Sequence, residues 1–335
     1  MESQKNNDEV YDKIKNFCIT EQNNKKYKAI MTDDLLEKKM KHIGREDKFF
    51  AYNKFDYFNH VKETLCLEST EKSHRLEFTI KAGQNKNCVF KNFRFPKKSL
   101  KDFYRITLFI GGNNIDTVYS DIYDVIWELY YSDKSNTFII DNEDYIQVPF
   151  DVLINGARSL EYHDIIVSFS KKNNFCEEEE LFKLYYDVYI TPENNDYLID
   201  KIHQLQYNGP ENITSNIMLR LNHVCSYLIL SIVKKNNNQE QEISFEMPSV
   251  LNMKLIENKN EDTIPLQQVL KMNDTYVYDM YQFNCSRCDS LKIDLISHLY
   301  EENKYKVDNF SVCIYALSYQ GIRHVSGMFG LEFSK

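Results

Sequence analysis

The chain has 335 residues, enough for one large domain or two of ordinary size; with 42% hydrophobic and 14% aromatic residues it is not a disordered chain. Its formal net charge is −9, with Lys and Arg scattered among Asp and Glu. That pattern lacks the clustered basic face that phosphate contacts need, so direct nucleic-acid binding is not expected.

Tyr (24) and Phe (21) supply the aromatic content beside a single Trp, and these residues together with Ile and Val suit pleated surfaces. Met1 to Asn24 is charged and Asn-rich, with no apolar segment of the secretory kind. The longest apolar run, near Tyr227–Val233, falls far short of the roughly 20 residues that span a bilayer. The expectation is a soluble protein made in the cytosol, with no transmembrane segment. Eight cysteines at irregular spacings are expected to stay free in that reducing compartment.

Residues 1 to 70 differ from the rest. Val10, Ile14, Phe17 and Cys18 fall on one helical face, and Asp34 caps a second patch carrying Leu36, Met40 and Ile43. An aromatic cluster from Phe49 to Phe58 follows. This is read as a charged, partly helical arm that packs on the main body or on a neighbour.

From about residue 74 the period becomes two. Leu76, Phe78 and Ile80 share one face, then Val89, Phe93 and Phe95 form a second strand. Ile106, Leu108 and Ile110 alternate up to Gly111-Gly112-Asn113-Asn114, a strong turn signal. Ile122, Val125, Ile126 and Leu129 mark a helix, after which strands resume at Thr137–Ile140, Tyr145–Phe150, Asp164–Ser170 and Lys183–Ile190.

The second half keeps the rhythm. Strands are predicted at Leu198–Tyr207, Asn216–Leu221, Tyr227–Val233, Ile243–Phe245, Leu251–Ile256, Tyr276–Phe283, Leu291–Ile296 and Phe310–Leu317. Ile264–Met272 reads as a short helix. Beyond Leu317 a short polar loop is expected, then Ser326-Gly327 and one last strand. No βαβ alternation is present, so two antiparallel sandwiches in tandem fit best, with Thr191-Pro192-Glu193-Asn194-Asn195 as the hinge. The expected domains are the arm at 1–70, a first sandwich at 71–192 and a second at 193–335.

Little in the chain suggests chemistry. Glu177 to Glu180 is a run of like charges that reads as a solvated loop. Cys285-Ser286-Arg287-Cys288 is a single CxxC, whereas structural zinc needs four ligands; Cys313, His298 and His324 stand at no diagnostic spacing from it. His163 and His223 flank strands and read as structural. Gly111-Gly112 lacks the further Gly and the Lys of a phosphate-binding loop, and no nucleophile elbow is present. No residue is nominated as catalytic, cofactor-binding or metal-ligating, and the chain is not expected to be an enzyme.

Five segments, in order, resemble the double jelly-roll capsid proteins of large DNA viruses. They are Phe109–Asp116 with its Gly-Gly turn and following helix; Ile146–Phe150 with Ala157–Asp164; Tyr186–Ile190 with Asp196–Gln204; Leu221-Asn222-His223 before Leu228–Val233; and the Ser326-Gly327 segment with its last strand. Val224 and Val325 stand where the family has Pro. The resemblance implies two tandem jelly rolls, all-β, with short helices in loops. It also implies a capsid or capsid-like structural protein that assembles as a homotrimer with neighbouring capsid proteins in a virion, made in the host cytoplasm. A cytosolic β-sandwich that binds a carbohydrate or peptide is the alternative, and a cupin-like metalloenzyme a third reading.

Overall fold

The computed structural model describes residues 63–72, 74–81, 88–131, 135–150, 154–155, 163–172, 182–190, 200–214, 216–235, 246–257, 260–296, 309–325 and 328–331. The helical patches and aromatic cluster expected before residue 60, the strand expected at Ile243–Phe245 and the hinge at 191–195 lie outside them. The chain divides into two compact units. One comprises the described residues within Lys54–Gln204 and those from Gln320 onward; the other comprises those of Leu205–Tyr319.

In chain order the first half contains β1 (Glu63–Glu68), β2 (Thr70–Lys72), β3 (Arg75–Ile80), β4 (Cys88–Pro96), β5 (Phe103–Ile110), β6 (Asn113–Tyr119), helix α1 (Tyr123–Tyr131), β7 (Thr137–Ile140), β8 (Glu143–Gln147), β9 (Ile154–Asn155), β10 (Ile165–Lys171) and β11 (Lys183–Ile190). One sheet runs β1-β11-β4-β8-β7, with β9 beside β4, and the other runs β2-β3-β10-β5-β6. With short β2, β7 and β9 set aside, eight strands remain. The first, eighth, third and sixth make one sheet, and the second, seventh, fourth and fifth make the other.

The alternation read from the sequence builds the core. Ile165, Val167 and Phe169 on β10 lie opposite Ile80, Phe78 and Leu76 on β3 and opposite Ile110, Leu108 and Ile106 on β5. All nine are buried in one apolar face. The other sheet contributes Phe93, Phe95, Ile146, Leu184, Tyr186 and Val188 to the same cluster. Phe95 sits at its centre, stacked on Phe169 at 4.1 Å and touching Phe78, Phe103 and Phe182 at 6.0, 5.5 and 5.8 Å. Helix α1 adds Tyr123 and Trp127, and the Tyr123 hydroxyl donates to the Gln147 carbonyl.

The second half contains β12 (Asp200–Asn212), β13 (Ile217–Leu219), β14 (Val224–Lys234), β15 (Val250–Glu257), β16 (Asn260–Met272), β17 (Thr275–Asn284), β18 (Ser290–Ile293), β19 (Phe310–Val325) and β20 (Met328–Leu331). Their order is β12-β19-β14-β17-β16-β15-β18-β13, with β20 on β19. By ordinal this is again first, eighth, third, sixth, continuing into fifth, fourth, seventh, second. The core is mainly Leu, Ile and Met with three tyrosines and two phenylalanines, among them Leu228, Leu230, Met253, Leu266, Tyr276 and Phe283.

Tight turns follow their residues. Gly111 and Gly112 both have positive φ (58° and 82°) between β5 and β6, where Ile110 pairs with Asn113. Asp141 and Asn142 do the same between β7 and β8, with φ of 52° and 65°. These are the two-residue loops that match strand twist. A Cβ on Gly111 would come within 2.8 Å of His163 Nδ1, so that turn requires glycine twice over.

Two expectations are corrected. Ile264–Met272 is strand, not helix. The register of β16 against β17 shifts between Gln268 and Leu270, a bulge that turns a two-residue period into the three-residue step from buried Leu266 to buried Val269. The polar loop expected after Leu317 is a continuation of β19: Ser318 pairs with Cys225 and Tyr319 with Val224, and Ser318 and Gln320 are buried in the strand.

Candidate functional site

The residues weighed for chemistry do not converge. Cys285 is buried at the 3-10 turn that follows β17, where its N–H donates to the carbonyl of His223. Burial pushes its thiol well above the ordinary value, and the neighbouring Cys225 thiol adds to the shift. Cys288 is half-buried and its thiol is pushed up to about 11 by burial, then by Glu257 and Asp289. Cys313 is on β19 opposite Ser231, toward the far end of β14 from Cys225. His298 lies outside the described residues. Among the described residues no three His, Cys, Asp or Glu side chains assemble as a metal-ligand set. His163 packs under Gly111, and His223 holds a left-handed backbone, φ 64°, at the entry to β14. The Glu177–Glu180 run is outside the described residues.

Two polar constellations do stand out, and neither was read from the sequence. The first surrounds Asp187, which is 2% exposed although its chain neighbours Tyr186 and Val188 face the core. Arg94 grips it at both oxygens, Nη1 to Oδ1 at 2.8 Å and Nη2 to Oδ2 at 2.5 Å. Thr64 and Asn92 donate to the same carboxylate at 2.8 Å each. Asn92 reaches it from a left-handed backbone, φ 57°, where β4 slips register against β11. The Phe138 ring lies 4.7 Å from the Arg94 guanidinium. Every acceptor site of Asp187 is thus engaged in holding β1, β4 and β11 together, which is structural work.

The second is a cleft of about 380 Å³ on the face of β3-β10-β5 that looks away from the core. Register explains its shape. One cross-strand row is Thr107–Ser168–Glu77 and the next is Arg105–Ser170–Arg75. Short hydroxyl side chains therefore make the floor, and the two arginines stand at either side of Ser170, about 10 Å apart at two strand spacings. Tyr104, Phe109, His74 and Lys171 complete the walls. Arg75 Nε binds Glu77 at 2.7 Å, and Arg105 Nη2 donates to Ser170 Oγ at 3.5 Å. The Arg105 guanidinium also lies 5.5 Å from the Tyr104 ring. Arg105 Nε and Thr107 Oγ1 are buried with no hydrogen-bond partner. The floor is closely packed: Thr107 is 3% exposed and Ser168 2%. A donor-rich cleft with spare N–H and O–H groups is suited to an oxyanion.

A polypeptide whose strands fall twice into the neighbour orders first-eighth-third-sixth and second-seventh-fourth-fifth is a double jelly roll. Among solved structures, PBCV-1 VP54, as fitted into a reconstruction of the virophage Sputnik, matches over 84% of this chain and 99% of its own, with a TM-score of 0.53 and 16% identity. The chain in a quasi-atomic model of the PBCV-1 virus capsid matches over the same shares, with a TM-score of 0.50 and 15% identity. At these identities the likeness is one of fold. No protein-family description matches the chain. No curated protein matches it in sequence.

Proposed function

We propose that this chain is a structural protein of a viral shell, assembling through trimers with copies of itself and with neighbouring capsid proteins. The observation that carries the reading is the repeated strand order, shared along nearly the whole length of PBCV-1 VP54. The residues are consistent with it: the Asp187 carboxylate is fully engaged by Thr64, Asn92 and Arg94 in tying three strands together. Shells are built from broad interfaces between rigid blocks rather than from a few reactive groups. The virion is then the protein's destination and the host cytoplasm its place of synthesis.

The decisive experiment is quantitative mass spectrometry of purified particles together with light scattering of the isolated chain. The reading expects many copies per particle and a mass of three chains in solution. A protein missing from particles and monomeric at high concentration would overturn it and favour the β-sandwich binding protein instead.

A further inference from the structure

We propose that the cleft on the outer face of β3-β10-β5 is a docking site for an acidic peptide segment presented by a second copy of this chain. The proposal rests on the shell reading above and deepens it by naming one contact. The cleft gathers Arg75, Arg105 and Lys171 around a floor of Thr107, Ser168 and Ser170, and Glu77, next to Ser168 in the register, is bound to Arg75. The cleft thus carries a net positive charge in a chain with 50 acidic and 41 basic residues.

Three observations select the ligand. First, Thr107 is 97% buried by its exposure of 3%, yet its hydroxyl is unpartnered, as is the Nε of Arg105 two residues away on the same face. Buried donors left unmade are costly, and a carboxylate accepting from both would recover that cost. Second, about 380 Å³ is more than one inorganic oxyanion occupies, and within the range that holds a short peptide. Third, the net charge of −9 makes a second copy a source of carboxylates, so the attraction is complementary between identical molecules. In that geometry one Glu or Asp side chain inserts between Arg105 and Arg75 over Ser170.

The test uses the full chain and acetylated tetraglutamate as probe, read by isothermal titration calorimetry, with tetraglutamine as the neutral control. Wild type is expected to bind tetraglutamate and not tetraglutamine, less tightly as salt rises. Arg105→Gln is expected to weaken binding about tenfold and the isosteric Thr107→Val about threefold, with unchanged circular dichroism. Arg105→Gln is also expected to shift self-association, by analytical ultracentrifugation, toward smaller species. Equal binding of both peptides, or affinity indifferent to both substitutions, would overturn the site. Tighter binding of inorganic phosphate or of a sialylated oligosaccharide would overturn the peptide as its ligand. Peptide binding that depends on Arg105 beside unchanged self-association would overturn the second copy as its source. Each of these failures leaves the particle measurement free to support the shell reading on its own.

Discussion

The two jelly rolls share a strand order and almost nothing else. The first fills its core with rings: Phe78, Phe95, Phe103, Phe169 and Phe182 form one mutually touching group. The second fills the same wrap mainly with Leu, Ile and Met, with five aromatic residues among them, and Tyr207 with Tyr315 at 5.0 Å is a ring pair on its edge. They differ also in how the fifth strand reaches the sixth. In the first half α1 and β7 intervene between β6 and β8, whereas in the second β16 and β17 are joined by Asn273-Asp274 as a paired hairpin. The lesson is that the wrap is specified by which face of each strand is apolar and by where the turns fall; cores of different chemistry serve if volume and pattern are kept.

That comparison can be broken first at its centre. Phe95→Ala should cost about 4 kcal/mol, because a buried ring and its neighbours' contacts are lost together. Leu266→Ala, the matched truncation in the second unit, should cost about 3 kcal/mol. Urea unfolding of both variants would check this; equal or reversed costs would mean that the ring cluster is not the keystone of the first unit. Next, Asp187→Asn should cost about 3 kcal/mol by leaving the Arg94 guanidinium buried against a neutral partner. A loss under about 0.5 kcal/mol would show the network to be solvated in solution. Gly111→Ala comes third, at about 2 kcal/mol, since φ of 58° and the approach to His163 both penalise a Cβ.

The smallest effect separates the units by pH. In the second unit the folded chain holds the Cys288 proton more tightly than the unfolded chain does. The stabilisation is complete below pH 9, the ordinary thiol value, and is lost as pH climbs through about 11. Cys288→Ser should flatten that decline in a series of thermal melts from pH 8 to 11; an unaltered slope would show that the thiol titrates normally.

Much of the fold was legible because period and turn chemistry agree. Leu76, Phe78 and Ile80, or Ile165, Val167 and Phe169, alternate without interruption and face inward as read. The pair Gly111-Gly112 announced its turn, and Ile122, Val125 and Ile126 announced α1. Reading failed where the backbone departs from regularity. The bulge in β16 imitated a helix, and the polar Ser318 and Gln320 hid the length of β19, because their burial is imposed by neighbouring strands. The cleft was illegible for a related reason. Arg75, Arg105, Thr107, Ser168 and Ser170 are far apart in sequence, and only the register of three strands brings them into two rows.

Placing the eighth strand beside the third has a temporal side. β14 is flanked by β17 on one edge and by β19 on the other. On a ribosome β17 is complete only after β15 and β16, and β19 follows later still, so even once β17 has paired, one edge of β14, buried from Val224 to Ile232, stands open to any passing β-strand. Completion of β19 closes that edge, which makes synthesis of this single strand the step that converts an adhesive nascent chain into a finished building block.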